Sequence, residues 1–355
     1  MKVYLDHATT TPADERVVER MMRCMRMANP SAAYADAGEA RREMRLARQQ
    51  IARMLDIDHT AVVFTSGGSE ANAWAMTASP NAAVSAIEHA SVLRAAPGAV
   101  IIPANTQGMV TPEAVEKALR PDTKLVSVQW ANNETGVLQP VEALYPIVKK
   151  HGALFHVDAV QAFGHVPVSM KHCDLMTLSA HKLYGPRGAG CLVIRPGVRL
   201  KPLIPGGGQE KGLRSGTENV PAIAGFGVAA AIAHQEMAAH AQRERALVED
   251  FIRQLRVPGM RLLGADAPRL PGVEAIFLPG MLAEIAIAKL DLRGVMVSGG
   301  AACHSHDASA SHVYQAMGLT EDEARRVLRV SVGRGSTPEG MAYAARRVNE
   351  VYGGV

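Results

Sequence analysis

Between residues 61 and 194, seven short apolar runs (61–65, 82–87, 100–103, 124–130, 153–157, 174–178 and 190–194) are separated by stretches with helical spacing such as 112–119 and 140–149. Strands that alternate with helices are joined by crossovers, and apolar runs of this kind belong in a sheet covered on both faces. The pattern predicts an α/β fold built on a mostly parallel, seven-stranded sheet. Ahead of it, 14–27 and 38–55 read as helices, the second with Met44, Ala47, Ile51, Met54 and Leu55 on one face. The Gly206-Gly207-Gly208 turn closes the alternation, and an alanine-rich helix follows over 220–255. The remainder, β-rich and then helical, reads as a second, smaller α+β domain. A chain of 355 residues is long enough to fill two cores.

In open α/β sheets ligands sit beyond the carboxyl ends of the strands, so the residues that follow each run are read together. Run 61–65 leads into Ser66-Gly67-Gly68-Ser69-Glu70 and a helix, whose first backbone amides make an anion site. Run 82–87 is followed by Glu88-His89, a ring able to stack on a flat heterocycle. After 124–130 come Asn132-Asn133-Glu134-Thr135-Gly136, and after 153–157 come Asp158 and Gln161. After 174–178 come Ser179, His181 and Lys182. Each has a plainer reading alone: Ser69 as a helix cap, His89 as a structural histidine, Asp158 as the cap of a helix beginning at Ala159, Lys182 as a solvated charge. Taken in order they supply a phosphate cradle, a stacking ring, a carboxylate for a protonated pyridine nitrogen and an amine for an aldehyde. That is the set pyridoxal phosphate requires.

Composition removes other classes. The 38 basic residues exceed the 34 acidic ones by only +4, too little for a phosphate-backbone binder, and the basic tract 39–48 is interleaved with acids as on a solvated helix face. No basic-then-apolar leader opens the chain and no run reaches the ~18 apolar residues of a membrane span, so a cytoplasmic protein is expected, with neither membrane nor direct nucleic-acid binding. Cys24, Cys173, Cys191 and Cys303 are scattered with no CxxC pair, which suits free thiols in a reducing compartment and no metal site.

The motifs Tyr4-Leu5-Asp6-His7-Ala8-Thr9-Thr10, Thr65-Ser66-Gly67-Gly68-Ser69-Glu70, Asn132-Asn133-Glu134, His156-Val157-Asp158-Ala159-Val160-Gln161, Ser179-Ala180-His181-Lys182 and Gly206-Gly207-Gly208-Gln209-Glu210 through Arg214-Ser215-Gly216-Thr217 carry a resemblance. The chain resembles the cysteine desulfurases of the NifS/IscS type, group I, within the class V aminotransferase family of fold-type I pyridoxal-phosphate enzymes. The likeness implies a large cofactor-binding domain over 15–245, and a small domain of 1–14 with 246–355 that carries the catalytic cysteine loop and a substrate-carboxylate arginine. It implies that Lys182 forms the Schiff base, Asp158 pairs with the pyridine nitrogen, and His89 stacks on the ring and assists proton transfer at the substrate thiol. Asn133 and Gln161 would lie near the ring hydroxyl, with Asn133 also facing substrate. Gly68, Ser69, Ser179 and His181 would hold the phosphate, joined by Thr217 from a neighbouring subunit, which implies a homodimer with shared active sites.

The stretch Ser298-Gly299-Gly300-Ala301-Ala302-Cys303-His304-Ser305-His306 is similar to the family's Ser-Ser-Gly-Ser-Ala-Cys pattern, making Cys303 the implied persulfide-forming thiol. Cys24, Cys173 and Cys191 stand in helical or apolar contexts and read as packing residues. In Leu328-Arg329-Val330-Ser331-Val332-Gly333-Arg334, Arg329 is the implied grip on the substrate carboxylate. The implied reaction converts L-cysteine to L-alanine and leaves sulfur on Cys303 for an acceptor protein. A selenocysteine lyase, or another class V aminotransferase-type enzyme, would share most of these residues. The acceptor stays open among iron–sulfur cluster assembly, tRNA thiolation, a thiolated cofactor and DNA phosphorothioation, because the chain ends at Val355 without the C-terminal extension on which iron–sulfur scaffolds dock in such relatives.

Overall fold

Seven strands form one sheet in the spatial order Val62–Thr65, Gly190–Ile194, Leu175–Ser179, Leu154–Asp158, Leu125–Ser127, Ala82–Ser85, Val100–Ile102. The computed structural model describes residues 1–300 and 310–353. All neighbouring strands are parallel except Gly190–Ile194, which runs antiparallel to both of its partners. Successive side chains turn to opposite faces, and both faces are covered. Val62, Phe64, Phe155, Val157, Met176 and Leu178 join the larger core. Val63, Leu125, Leu175 and Leu192 face the other way, against Ala71, Trp74 and Ala75 of helix Gly68–Met76. Phe155 is fully buried, so cutting it to alanine should cost about 3–5 kcal/mol.

Two strands end two or more residues before their apolar runs do. After Ser85 the chain turns, the Ile87 amide donating to Ser85 Oγ (3.2 Å) and the Glu88 amide to the Ser85 carbonyl (3.2 Å), which ends the run 82–87 early. Past Ser127 the amides of Val128 and Trp130 still donate to the carbonyls of His156 (3.2 Å) and Asp158 (2.8 Å), so 128–130 continue beside the neighbouring strand. The first expected helix is Glu15–Cys24, with Asp14 outside it as the cap that accepts from the Arg16 amide at 3.0 Å. The second is Ala37–Leu55, stopped by Asp56 in the left-handed region (φ 53°).

A second core lies at the end of the 35-residue helix Val220–Gln254, which at 1.5 Å per residue is about 50 Å long. Its first half, Val220 to Ala233, packs in the larger core; Leu247, Val248 and Phe251 pack with Val3, Leu5, Ile276, Leu328, Val330 and Met341. The sheet of this second core is antiparallel, in the order Ser298–Gly299, Val327–Ser331, Val273–Phe277, Arg261–Leu262. Because Leu328 and Val330 enter that core, Arg329 between them points away from it. The N-terminal segment is tied to the same region: Val3–Tyr4 pairs with Val295–Met296 and Asp6 bridges to Ser331. Among the described residues no helix is long and apolar enough to cross a membrane.

Candidate active site

Lys182 ends a single turn, Ala180–Lys182, that leaves the strand Leu175–Ser179 at its carboxyl end. The amides of Leu183 and Gly185 both donate to the Ala180 carbonyl, at 3.1 and 3.0 Å. A Cβ on Gly185 would lie 2.7 Å from that carbonyl oxygen, so the turn requires glycine there. The fold sends the lysine back across the sheet edge, where Nζ donates to the carbonyls of Ala8 (2.5 Å) and Thr9 (2.7 Å). The motif at residues 4–10 and the lysine motif therefore meet in space.

Helix Gly68–Met76 begins without a side-chain cap. Ser69 lies inside its first turn, so the plainer expectation for that serine, a helix cap, is not what forms. The helix start is left with open backbone amides beside Ser179, and a Cβ on Gly68 would come within 2.9 Å of Val160 Cγ2 and 3.6 Å of Ser179 Cβ. That is a cradle only glycine leaves room in, suited to a phosphate. His181 contacts Thr10 Oγ1 through Nδ1 at 3.1 Å, and its pKa is pushed down to about 4 by burial and then by Lys182 and Arg187. It is a neutral polar group at pH 7.

Asp158 is buried at the end of its strand. Oδ1 accepts from the Val160 amide (2.9 Å) in a turn, and no helix starts at Ala159; Oδ2 accepts from Asn72 Nδ2 at 2.7 Å. Two further buried carboxyls are held protonated more readily than usual. Burial and then Asp158 push Glu88 well up, while its Oε1 accepts from the Gln129 amide at 2.6 Å. Burial pushes Glu134 up to about 7, opposed by Ser311, whose hydroxyl donates to Oε2 at 2.5 Å, and by Arg329. Gln161 Nε2 donates to the Ala8 carbonyl at 2.9 Å.

Arg329 is 1% exposed. Nη2 donates to Asp6 Oδ1 (2.7 Å) and Thr9 Oγ1 (2.6 Å), and Nη1 to the Asn133 carbonyl (2.9 Å). Three of its five N–H groups are so engaged, and Nε is buried with no partner among the described residues. A buried guanidinium with donors to spare suits a carboxylate.

These groups line one cavity of about 290 Å³. Gly68, Ser69, His89, Asn133, Asp158, Gln161, Ser179, His181, Lys182 and Arg329 all reach it, so ten residues picked from the sequence are brought together. Thr217 is exposed and does not line it. Cys303, His304 and His306 lie outside the described residues, although Gly300, three residues before the cysteine, lines the cavity. Cys24, Cys173 and Cys191 are buried, and burial pushes each thiol up, which makes them inert. The cavity is also lined by Asn72, Ser91, Gln129 and His312, to which the sequence assigns nothing, and by Glu134, present in a motif without a role. For Asn72 a signal existed: it stands one helical turn beyond Ser69 and so faces the same way.

A doubly covered α/β sheet, with a lysine just past one strand end and a carboxylate at the end of the neighbouring strand lining one cavity, defines the class, and the chain belongs to the aminotransferase class-V family, whose pattern it matches over residues 3–343. Among curated relatives it is 40% identical to the cysteine desulfurase IscS 1 of Archaeoglobus fulgidus, over 95% of this chain and 93% of that one. The crystal structure of a NifS-like protein from Rickettsia africae superposes with a TM-score of 0.93 at 34% identity, covering 99% of this chain and all of the other. The structure of SspA in complex with cysteine matches at a TM-score of 0.82 and 31% identity, covering 94% and 99%.

Proposed function

We propose that the protein is a pyridoxal-phosphate-dependent cysteine desulfurase that converts L-cysteine to L-alanine and takes the sulfur onto Cys303. The observation that carries this is the convergence of ten residues from separate sequence motifs on one cavity of about 290 Å³. When bound, pyridoxal phosphate supplies the electron sink for charge left at the substrate α-carbon. The chain supplies the rest. The first amides of helix Gly68–Met76, with Ser69, Ser179 and neutral His181, hold the phosphate. Asp158 would hold a proton on the pyridine nitrogen, and Asn133 and Gln161 would bind the ring hydroxyl. Lys182 Nζ would supply the amine that holds the cofactor and a base for the substrate α-proton. His89, which lines the same cavity, would move a proton at the substrate sulfur. Arg329 orients the substrate through its carboxylate, and Cys303 accepts the sulfur as a persulfide.

In this reading 15–245 hold the cofactor, while 1–14 and 246–355 bring Arg329 and Cys303 to it. Thr217, exposed and away from its own cavity, serves the phosphate of a partner subunit in a homodimer. The persulfide is passed to an acceptor protein in the cytoplasm, iron–sulfur cluster assembly being one route. The test is release of L-alanine and, once a thiol reductant is added, of sulfide from L-cysteine by the purified protein. Cys303→Ala should retain the visible absorbance of bound cofactor and lose sulfur transfer; transfer at the parent rate would remove Cys303 from the reaction.

A further inference from the structure

A line of side chains runs behind the cavity from the carboxylate to the histidine. Asn72 is buried in the helix Gly68–Met76. Its Nδ2 contacts Asp158 Oδ2 at 2.7 Å and Ser91 Oγ at 2.9 Å. The carboxylate settles the orientation of the amide, since an oxygen facing Oδ2 would find no hydrogen between them. Both amide hydrogens are then spent, one on Asp158 and one on Ser91. Ser91 Oγ accepts from Asn72, and its own hydrogen has one acceptor among the described residues, His89 Nδ1, at 2.7 Å. The Ser91 backbone amide also donates to Nδ1, at 3.1 Å.

A nitrogen that receives two donors carries no hydrogen of its own. We propose that Asn72 and Ser91 are positioning residues that hold His89 as the neutral tautomer with its proton on Nε2 and tie that choice to the Asp158 carboxylate. Protonating Nδ1 would strand the Ser91 hydroxyl hydrogen and set two N–H groups against each other. His89 therefore exchanges protons with substrate through Nε2 alone and resists becoming an imidazolium. The same amide holds Asp158 Oδ2 while the Val160 amide holds Oδ1, so one residue ties the carboxylate to the histidine. The inference rests on the roles proposed for Asp158 and His89.

Among the described residues, the charged and titratable groups that share the cavity with His89 are Glu134, Asp158, His181, Lys182, His312 and Arg329, with Glu88 preceding it in the chain. Replacing Asn72 removes none of them, so a change at His89 would report the amide itself.

The experiment is nitrogen NMR of the protein labelled in its histidines, with the His89 signals assigned by their loss in His89→Gln, recorded with cofactor and after its removal. The expected result is a single form, Nε2 protonated and Nδ1 bare. In Asn72→Ala the pH of half-protonation of His89 should rise by roughly 0.5–1 unit, because the freed Ser91 hydroxyl can turn to accept from an imidazolium. The dissociation constant for pyridoxal phosphate, followed by absorbance, should rise about 5- to 10-fold as Asp158 loses its donor. An Nδ1–H tautomer or a comparable mixture in the parent protein overturns the proposal, and needs no variant to fold. So does an Asn72→Ala protein that folds and shifts neither quantity. A chain that binds no pyridoxal phosphate yet shows Nε2–H at His89 would fault the functional reading and leave the tautomer assignment standing.

Discussion

Glu244 lies on the helix Val220–Gln254 where it passes from one core to the other, 3% exposed and with no role in the chemistry above. A Cβ on Gly272 would lie 3.0 Å from its Oε2, so the carboxyl is packed against that backbone. Burial raises its pKa to about 7, and the nearby charges of Arg334 and Arg243 only partly oppose this. The unfolded carboxyl titrates near 4.5, so folding takes up a proton between the two values. Its contribution to stability is complete below about pH 4.5 and is lost as pH rises through about 7, a loss of about 3 kcal/mol at 1.36 kcal/mol per unit. Roughly 2 kcal/mol of that falls between about pH 5.5 and 8.5. Glu244→Gln keeps the shape and removes the titration. Chemical denaturation of both proteins at the two pH values should show the variant gaining about 2 kcal/mol relative to the parent at the higher pH. Arg334 retains Asp14 (3.0 Å) and Arg243 retains the Arg334 carbonyl (3.1 Å), so the substitution leaves neither cation stranded. A stability difference that is flat across this range would refute the reasoning.

Gly68→Ala should fold but bind pyridoxal phosphate at least tenfold more weakly, because its Cβ would press within 2.9 Å of Val160; titration of the stripped protein by absorbance checks this. Gly190→Ala should destabilise by about 1–3 kcal/mol or more, since the new atom would sit 2.6 Å from Gly67 Cα and 2.8 Å from the Leu178 carbonyl; the denaturation midpoint reads it. Arg329→Ala should raise KM for L-cysteine and also lower stability by about 1–3 kcal/mol, because Asp6, Thr9 and the Asn133 carbonyl lose their donor; cofactor absorbance should survive. A KM unchanged in that variant would move the substrate carboxylate elsewhere.

The sheet was legible because its strands are buried on both faces, and a run such as Val62-Val63-Phe64 announces that without need of period-two contrast. The reversed direction of Gly190–Ile194 was not, because direction is set by how the chain returns to the edge strand, and its residues are apolar like those of its parallel neighbours. The strand end was over-read at 82–87 because Ile87 remains apolar and buried after ladder pairing stops, whereas past Ser127 the amides of Val128 and Trp130 still bond to the neighbouring strand. Hydrophobicity marks burial, and only backbone hydrogen bonds mark a strand.

The site divides along a similar line. Residues that follow strand ends could be found by position, since the topology aligns the parallel carboxyl ends at one edge. Partners could not, because they arrive from elsewhere: Asp6 meets Arg329 across 323 residues and Asn72 meets Asp158 across 86. This bears on how the arginine acts. Free in solution, a guanidinium could swing toward any carboxylate; here Asp6, Thr9 and the Asn133 carbonyl hold it from three directions before substrate arrives. The ordering entropy of the side chain is thus met in folding and not in binding. The segment at residues 6–9 also receives the Lys182 amine, so a shift of that segment would displace the lysine and the arginine together. The N-terminal motif, to which no step of the proposed reaction is assigned, is the physical link between the lysine and the arginine.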